Sequence, residues 1–158
     1  MNPIVLIATH QRISITSKCI DSLMMQSIQP KIVLAVSDHS ELKYYRKQYP
    51  EVIIAECSNT PLGQKWQHGV DVAKHHEPDP LIICGSDDIL GIDFIENACM
   101  IIKSGIDFIG LSRWHVYSNE VLYTYDYNAS IPLGGGRCYS SKALTEINFQ
   151  VFDTSKDI

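Results

Sequence analysis

Four short runs of apolar residues constrain this chain more than any other feature. They are PIVLIA at 3–8, KIVLAV at 31–36, VIIAEC at 52–57 and LIIC at 81–84. An uninterrupted apolar run of this length, bounded by polar residues, is a strand buried on both faces, as in a parallel sheet. Parallel strands need long crossovers, usually helical, and the intervening segments have the right period. Ile15, Cys19, Ile20, Leu23 and Met24 form one stripe, with Ser14 or Thr16 as the expected N-cap and Pro30 beyond its end. Leu42, Tyr45 and Tyr49 form a second stripe, closed by Pro50; Trp66, Val70 and Ala73 form a third, on a helix expected to begin near Gln64. Asp93 and Glu96 have the spacing of a capping box for a fourth helix packing Phe94, Ala98 and Ile102 and ended by Gly105, and residues 107–111 read as a fifth strand. Strand and helix in alternation predict an α/β fold, a mainly parallel sheet flanked by helices with right-handed crossovers.

Beyond the fifth strand the period changes. Val116 and Tyr117 and the run from Val121 to Tyr125 flank Ser118, Asn119 and Glu120, which predicts a hairpin or an irregular extension, a small antiparallel addition near the C-terminus. A loop with Asn128, Pro132 and three glycines at 134–136 leads to a short strand at 137–139, and Ser141 is the expected cap of a last helix through Leu144 and Ile147. No repeat or linker interrupts the 158 residues, so residues 1–158 are read as a single domain.

Thirteen Lys and Arg against eighteen Asp and Glu give a net charge of -5 without a basic cluster, so nucleic acid is not the expected partner. The five cysteines are odd in number, lack CxxC spacing and mostly sit in apolar runs, the usage of reduced core residues. No run has the length of a membrane span, and the N-terminus enters a strand without a basic leader, so the expected location is cytoplasmic.

In open α/β sheets ligands bind outside the carboxyl ends of the strands. Here those positions hold Thr9, His10, Gln11 and Arg12; Ser37, Asp38 and His39; Ser58 and Asn59, then Gly63 and Lys65; and Gly85, Ser86, Asp87 and Asp88. Adjacent acids on extended chain point opposite ways. Asp87 and Asp88 thus suit two partners, a ribose or sugar hydroxyl and a hard cation such as Mn2+ or Mg2+ bridging a diphosphate. The bland alternative for the pair is a solvated turn. A P-loop and a GxGxxG turn are both absent. His68, His75 and His76 lack the spacing of a zinc helix and read as surface residues; Trp66 reads as core, and Trp114 as either a packing residue or a stacking platform for a sugar.

In order, PIVLIATHQR, KIVLAVSDHS, SNTPLGQKWQHGVDVAK, LIICGSDDIL and IPLGGGRCYSSKAL resemble the successive motifs of GT-A fold (Rossmann-like) glycosyltransferases, close to family 2 of the nucleotide-sugar transferases. The resemblance covers nearly the whole chain. It implies a metal-dependent inverting transfer of a sugar from a nucleotide-diphosphate sugar to a glycan or other hydroxyl acceptor. It further implies Thr9, Arg12, Asp38, Asn59, Gly63, Lys65 and Asp87 on the donor side, Asp88 with Asp87 at a Mn2+ or Mg2+ ion, and Gly135 on the acceptor side, where Trp114 in its stacking reading would join it. Gly85 and Ser86 stand where members often carry acids. The family's catalytic acid lies beyond the glycine stretch, so the chain is expected to be incomplete at its C-terminus, with Asp153 and Asp157 as its late acids. A nucleotide-sugar-binding module without turnover and a nucleotidyltransferase are the alternatives.

Overall fold

The computed structural model describes residues 1–126 and 135–156. In chain order it contains β1 (Ile4–Thr9), α1 (Ile13–Met24), β2 (Lys31–Val36), α2 (His39–Gln48), β3 (Ile53–Glu56), α3 (Leu62–Lys74), β4 (Leu81–Gly85) and α4 (Phe94–Lys103). There follow β5 (Phe108–Ile109), β6 (Arg113–Ser118), β7 (Val121–Asp126), β8 (Arg137–Tyr139) and α5 (Ser141–Glu146). The main sheet has the order β3-β2-β1-β4-β8-β5, and β6 pairs with β7 in a separate two-stranded ribbon. The first four strands are parallel, with Ile4 opposite both Lys31 and Leu81.

Alternate residues of these strands feed two cores. Val5, Ile7, Leu34, Ile82 and Cys84 pack with Ile20 and Leu23 of α1, Leu42 and Tyr45 of α2 and Ile95 of α4. Ile4, Leu6, Val33, Leu81 and Ile83 pack on the other face with Val70 and Ala73 of α3 and Leu144 of α5. The chain therefore moves outward from β1 to β3 with α1 and α2 on one face. It then returns past β1 to β4 with α3 on the other, the arrangement right-handed crossovers require.

Several expectations from the sequence are corrected. A fifth strand at 107–111 shrinks to Phe108–Ile109 and does not touch β4, because β8 inserts antiparallel between them, with Cys138 opposite both Ile82 and Ile109. Arg12, not Ser14 or Thr16, stands at the N-cap of α1, without a side-chain cap; Thr16 is instead buried, its hydroxyl 2.9 Å from that of Thr9. The capping box of α4 does not form: Asp93 makes no side-chain cap bond, and Glu96 accepts a hydrogen bond from the Ser27 hydroxyl at 2.9 Å. Ser140 rather than Ser141 caps α5, its hydroxyl accepting from the Ala143 N–H. All five cysteines are free thiols, four of them buried. Among the described residues no helix is long and apolar enough to cross a membrane.

The segment after α5 folds back onto α3. Gln67 reaches across with both ends of its amide: Oε1 accepts from the N–H groups of Val151 and Phe152 at 3.1 and 3.2 Å, and Nε2 donates to the Phe149 carbonyl at 2.8 Å. Phe152 is 8% exposed, stacked on Trp66 with the Arg137 guanidinium 5.5 Å from its ring. Trp66 thus joins the core by taking an aromatic from the tail. Gln67→Ala strips the Phe152 N–H of its partner and removes one of two partners from the Val151 N–H and the Phe149 carbonyl, an effect of about 1–3 kcal/mol. It is expected to lower the urea midpoint and to open the 147–156 segment to limited proteolysis.

Candidate functional site

The strand order reverses beside β1, since the chain leaves β1 toward β2 and later arrives at β4 on the opposite side. Loops leaving the carboxyl ends of two such neighbours diverge and open a crevice between them. Arg12 follows β1 and Asp87 follows β4, and they meet across it: Arg12 Nη1 lies 3.5 Å from Asp87 Oδ2 and donates to the Ser86 hydroxyl at 3.3 Å. The Arg12 and Asp87 side chains are 53% and 52% exposed, so water screens their attraction and a ligand could replace either partner at small cost. A cleft of about 580 Å³ opens beside the pair, walled by Gln11, Arg12, Ile13, Lys18, Asp87 and Ile89.

The expected alternation of the two acids does not occur: residues 85–88 form a turn in which the Asp88 N–H donates to the Gly85 carbonyl at 3.2 Å, and carboxylate oxygens of both Asp87 and Asp88 stand within 3.3 Å of where a Gly85 Cβ would be. Asp88 Oδ2 accepts the Gly85 N–H at 2.8 Å. A Cβ at Gly85 would stand 2.7 Å from that oxygen, and one at Gly135 would collide with it. Gly135 therefore lets the backbone leading into β8 close over the Asp88 carboxylate. Gly135, expected on the acceptor side, thus lies against the Asp88 carboxylate; Gly134 lies outside the described residues.

The other candidates have internal partners. Asp38 caps α2, its Oδ1 accepting from the N–H groups of Ser40 and Glu41 at 2.9 and 3.1 Å, and the Ser40 hydroxyl with these amides holds its pKa below the usual carboxylate range. Lys65 is 2% exposed. Its ammonium donates to the Thr9 carbonyl, to the Ser37 hydroxyl at 2.9 Å and to Asn59 Oδ1 at 3.0 Å, and burial lowers its pKa. Thr9, Asn59 and Lys65 thus tie three strand ends together beneath the site. Gly63 faces the tail: its N–H donates to the Lys156 carbonyl at 2.9 Å, and a Cβ there would strike the Asp153 carbonyl. Trp114 stacks on Tyr125 across the ribbon, ring centres 6.0 Å apart.

Asp153 Oδ1 accepts from the Ser155 hydroxyl at 2.7 Å and from its N–H at 3.0 Å, and Oδ2 pairs with Lys156 at 3.0 Å. These contacts, led by the Ser155 hydroxyl, bring its pKa down to about 2. Both oxygens are occupied in fastening the turn, and so acidic a carboxyl is a weak proton acceptor near neutrality. Asp157 lies outside the described residues. Among the described residues no group of three or more His, Cys, Asp or Glu side chains converges.

Sequence reasoning placed Ser37 and Ser86 at the strand ends without giving them a role, and missed Glu41. Glu41 is 1% exposed on α2 and accepts the Arg12 N–H at 2.7 Å. An acid three residues after an N-cap reads as an ordinary first-turn residue, and only the packing of α2 against the turn after β1 turns it inward.

No protein-family model matches the chain, and no curated protein matches it in sequence. Solved structures do match. TarS from S. aureus, residues 1–349 in complex with UDP, superposes with a TM-score of 0.71 at 15% identity, covering 94% of this chain and 49% of that one; a further TarS structure holds UDP-GlcNAc. The mannosyltransferase PcManGT from Pyrobaculum calidifontis, in complex with GDP-Man and Mn2+, matches with a TM-score of 0.52 at 15% identity over 70% of this chain and 35% of that one. A 4-diphosphocytidyl-2C-methyl-D-erythritol synthase matches at 0.63 and 11% identity over 98% and 81%. TarS and the mannosyltransferase are GT-A-type glycosyltransferases, and this chain has the GT-A-type fold. It spans about half the length of the TarS 1–349 structures and 29% of a longer TarS structure.

The low Asp153 pKa gives the tail a pH signature. A carboxyl whose folded pKa is depressed stabilises the fold above its ordinary value of 3.8, and that contribution disappears as pH falls toward about 2. The urea midpoint of Asp153→Asn should therefore lie below that of the wild type by a constant amount above about pH 5, with the gap closing between about pH 4 and pH 2.

Proposed function

We propose that this chain binds a nucleotide-diphosphate sugar at the β1–β4 reversal and forms the donor side of a metal-dependent, inverting glycosyltransferase acting on a glycan or other hydroxyl acceptor. The observation that carries the reading is the screened Arg12–Asp87 pair, with Asp88 beside it, at the switch point of a GT-A-type sheet. Nucleotide sugars occupy proteins of this fold in the TarS and PcManGT structures.

In this reading Arg12 gives its guanidinium to the diphosphate, exchanging a weak partner for a more highly charged one. Asp87, so released, accepts a hydroxyl of the ribose or sugar. Asp88 is held by the Gly85 N–H and the backbone at Gly135, which fixes the direction of its carboxylate. The donor set is oxygen only, with at most two carboxylates. That fits Mg2+ or Mn2+ completing its coordination with phosphate oxygens, and does not form an all-protein cage. Such an ion, when bound, neutralises charge on the leaving diphosphate. Lys65, Asn59 and Thr9 support the pocket from beneath, and Asp38 does so through α2. Trp114 on the ribbon is the proposed acceptor platform. Asp153 is unsuited to taking the acceptor's proton, which leaves Asp157 or an acid from outside these residues for that step.

A second reading, a nucleotidyltransferase, is favoured by the match to the diphosphocytidyl synthase, which covers 98% of this chain and 81% of that one. Calorimetry with UDP, GDP, CDP and dTDP, with and without Mn2+, tests the donor site, and release of pyrophosphate from the four nucleoside triphosphates tests the second reading. One nucleoside diphosphate is expected to bind in a Mn2+-dependent manner. Arg12→Ala should weaken it by about 10- to 100-fold, the worth of one charge-assisted contact. Asp88→Asn keeps an acceptor for the Gly85 N–H and should abolish the Mn2+ dependence. Absence of binding to the folded protein by all four would overturn the donor-site reading.

A further inference from the structure

Two buried charges grip the turn after β1 from opposite ends. Lys65 comes from α3 on one face of the sheet, 2% exposed, and its ammonium holds the Thr9 carbonyl. Glu41 comes from α2 on the other face, 1% exposed, and its Oε1 holds the Arg12 N–H at 2.7 Å. Between the two anchor points lies Gln11, whose φ of 55° is left-handed. A residue other than glycine occupies that region sparsely, and it persists there when the surroundings over-determine it. The same turn delivers Arg12 to Asp87 and Ser86.

The remaining contacts concern positioning too. The Lys65 ammonium also holds Ser37 and Asn59, so the loops after β1, β2 and β3 share one donor. The second carboxylate oxygen of Glu41 is buried with no hydrogen-bond partner. A half-satisfied buried carboxylate is a poor way to gain stability, since its single hydrogen bond only partly offsets the cost of burying it. Burial disfavours the charge on Lys65.

We infer that Glu41 and Lys65 are positioning residues that form a buried clamp of opposite charges, holding the 9–12 turn with Gln11 left-handed and thereby aiming the Arg12 guanidinium across the switch point without touching a ligand themselves. The consequence for nucleotide binding rests on the donor-site reading above; the clamp itself does not.

The test has two arms. Amide hydrogen exchange reads the clamp directly: Glu41→Ala should speed exchange at Arg12 by at least about tenfold while leaving the β1 amides at Leu6 and Ile7 protected. Glu41→Gln keeps an oxygen acceptor and should leave the Arg12 amide near its wild-type rate. In the second arm, UDP and GDP are titrated into the wild type, Glu41→Ala, Glu41→Gln and Lys65→Met. Whichever nucleotide the wild type binds should bind about tenfold more weakly to Glu41→Ala and Lys65→Met, and nearly normally to Glu41→Gln. If Glu41→Ala does not fold, the double variant Glu41→Leu with Lys65→Met removes both charges together, and the same loosening at Arg12 is expected. Unchanged exchange at Arg12 in a folded variant lacking the Glu41 carboxylate, or equal disturbance in Glu41→Ala and Glu41→Gln, would overturn the clamp. A wild type that binds neither nucleotide would count against the donor site, and the exchange arm would still decide the clamp.

Discussion

β1 is hydrogen-bonded on both edges, to β2 and to β4, and covered on both faces. Ile4, Val5, Leu6 and Ile7 are all fully buried, two toward each core. Each such side chain contributes about 1.5–3 kcal/mol relative to exposure. A strand so enclosed can release the chain only at its carboxyl end, so the turn at 9–12 emerges where the strand order reverses. The cleft, the Arg12–Asp87 pair and the buried clamp all depend on that one placement.

Charge is distributed around this point in two layers. Near solvent, Arg12 and Asp87 are half-exposed and weakly paired, which leaves them available to a ligand. Beneath them, Glu41 and Lys65 are dry and bonded to backbone, which makes them expensive to move. A binding site needs both kinds: groups that exchange partners readily, held by groups that do not. The glycines at 85 and 135 belong to the same logic, since the Asp88 carboxylate occupies the space their side chains would need.

The tail answers to a different constraint. Gln67, Gly63 and Trp66 stand at positions on α3 where a helix-period reading finds a stripe and little more, yet each is matched to a backbone group or ring of residues 149–156. Gly63 was legible as a special residue but not as a seat for the tail, because a glycine signals close approach without naming what approaches. Asp153 was singled out for its charge, whereas its hydrogen bonds to Ser155 and its pairing with Lys156 make it a fastener.

The α/β class, the four parallel strands, the helices between them and the gathering of Arg12, Asp38, Asp87 and Asp88 at one edge were all determined by the sequence alone, because burial on both faces and helical period are local patterns. The tertiary structure decided the insertion of β8 between β4 and β5, since a strand of three residues pairs wherever a neighbour's edge is open. It also decided which polar residues face the cleft and which are buried under it. Glu41 looks in sequence like any helix-surface charge, and Lys65 reads as a group facing the donor; the burial of both follows from the approach of α2 and α3 to opposite sides of one turn. That approach is a long-range packing outcome, and no periodicity within either helix encodes it.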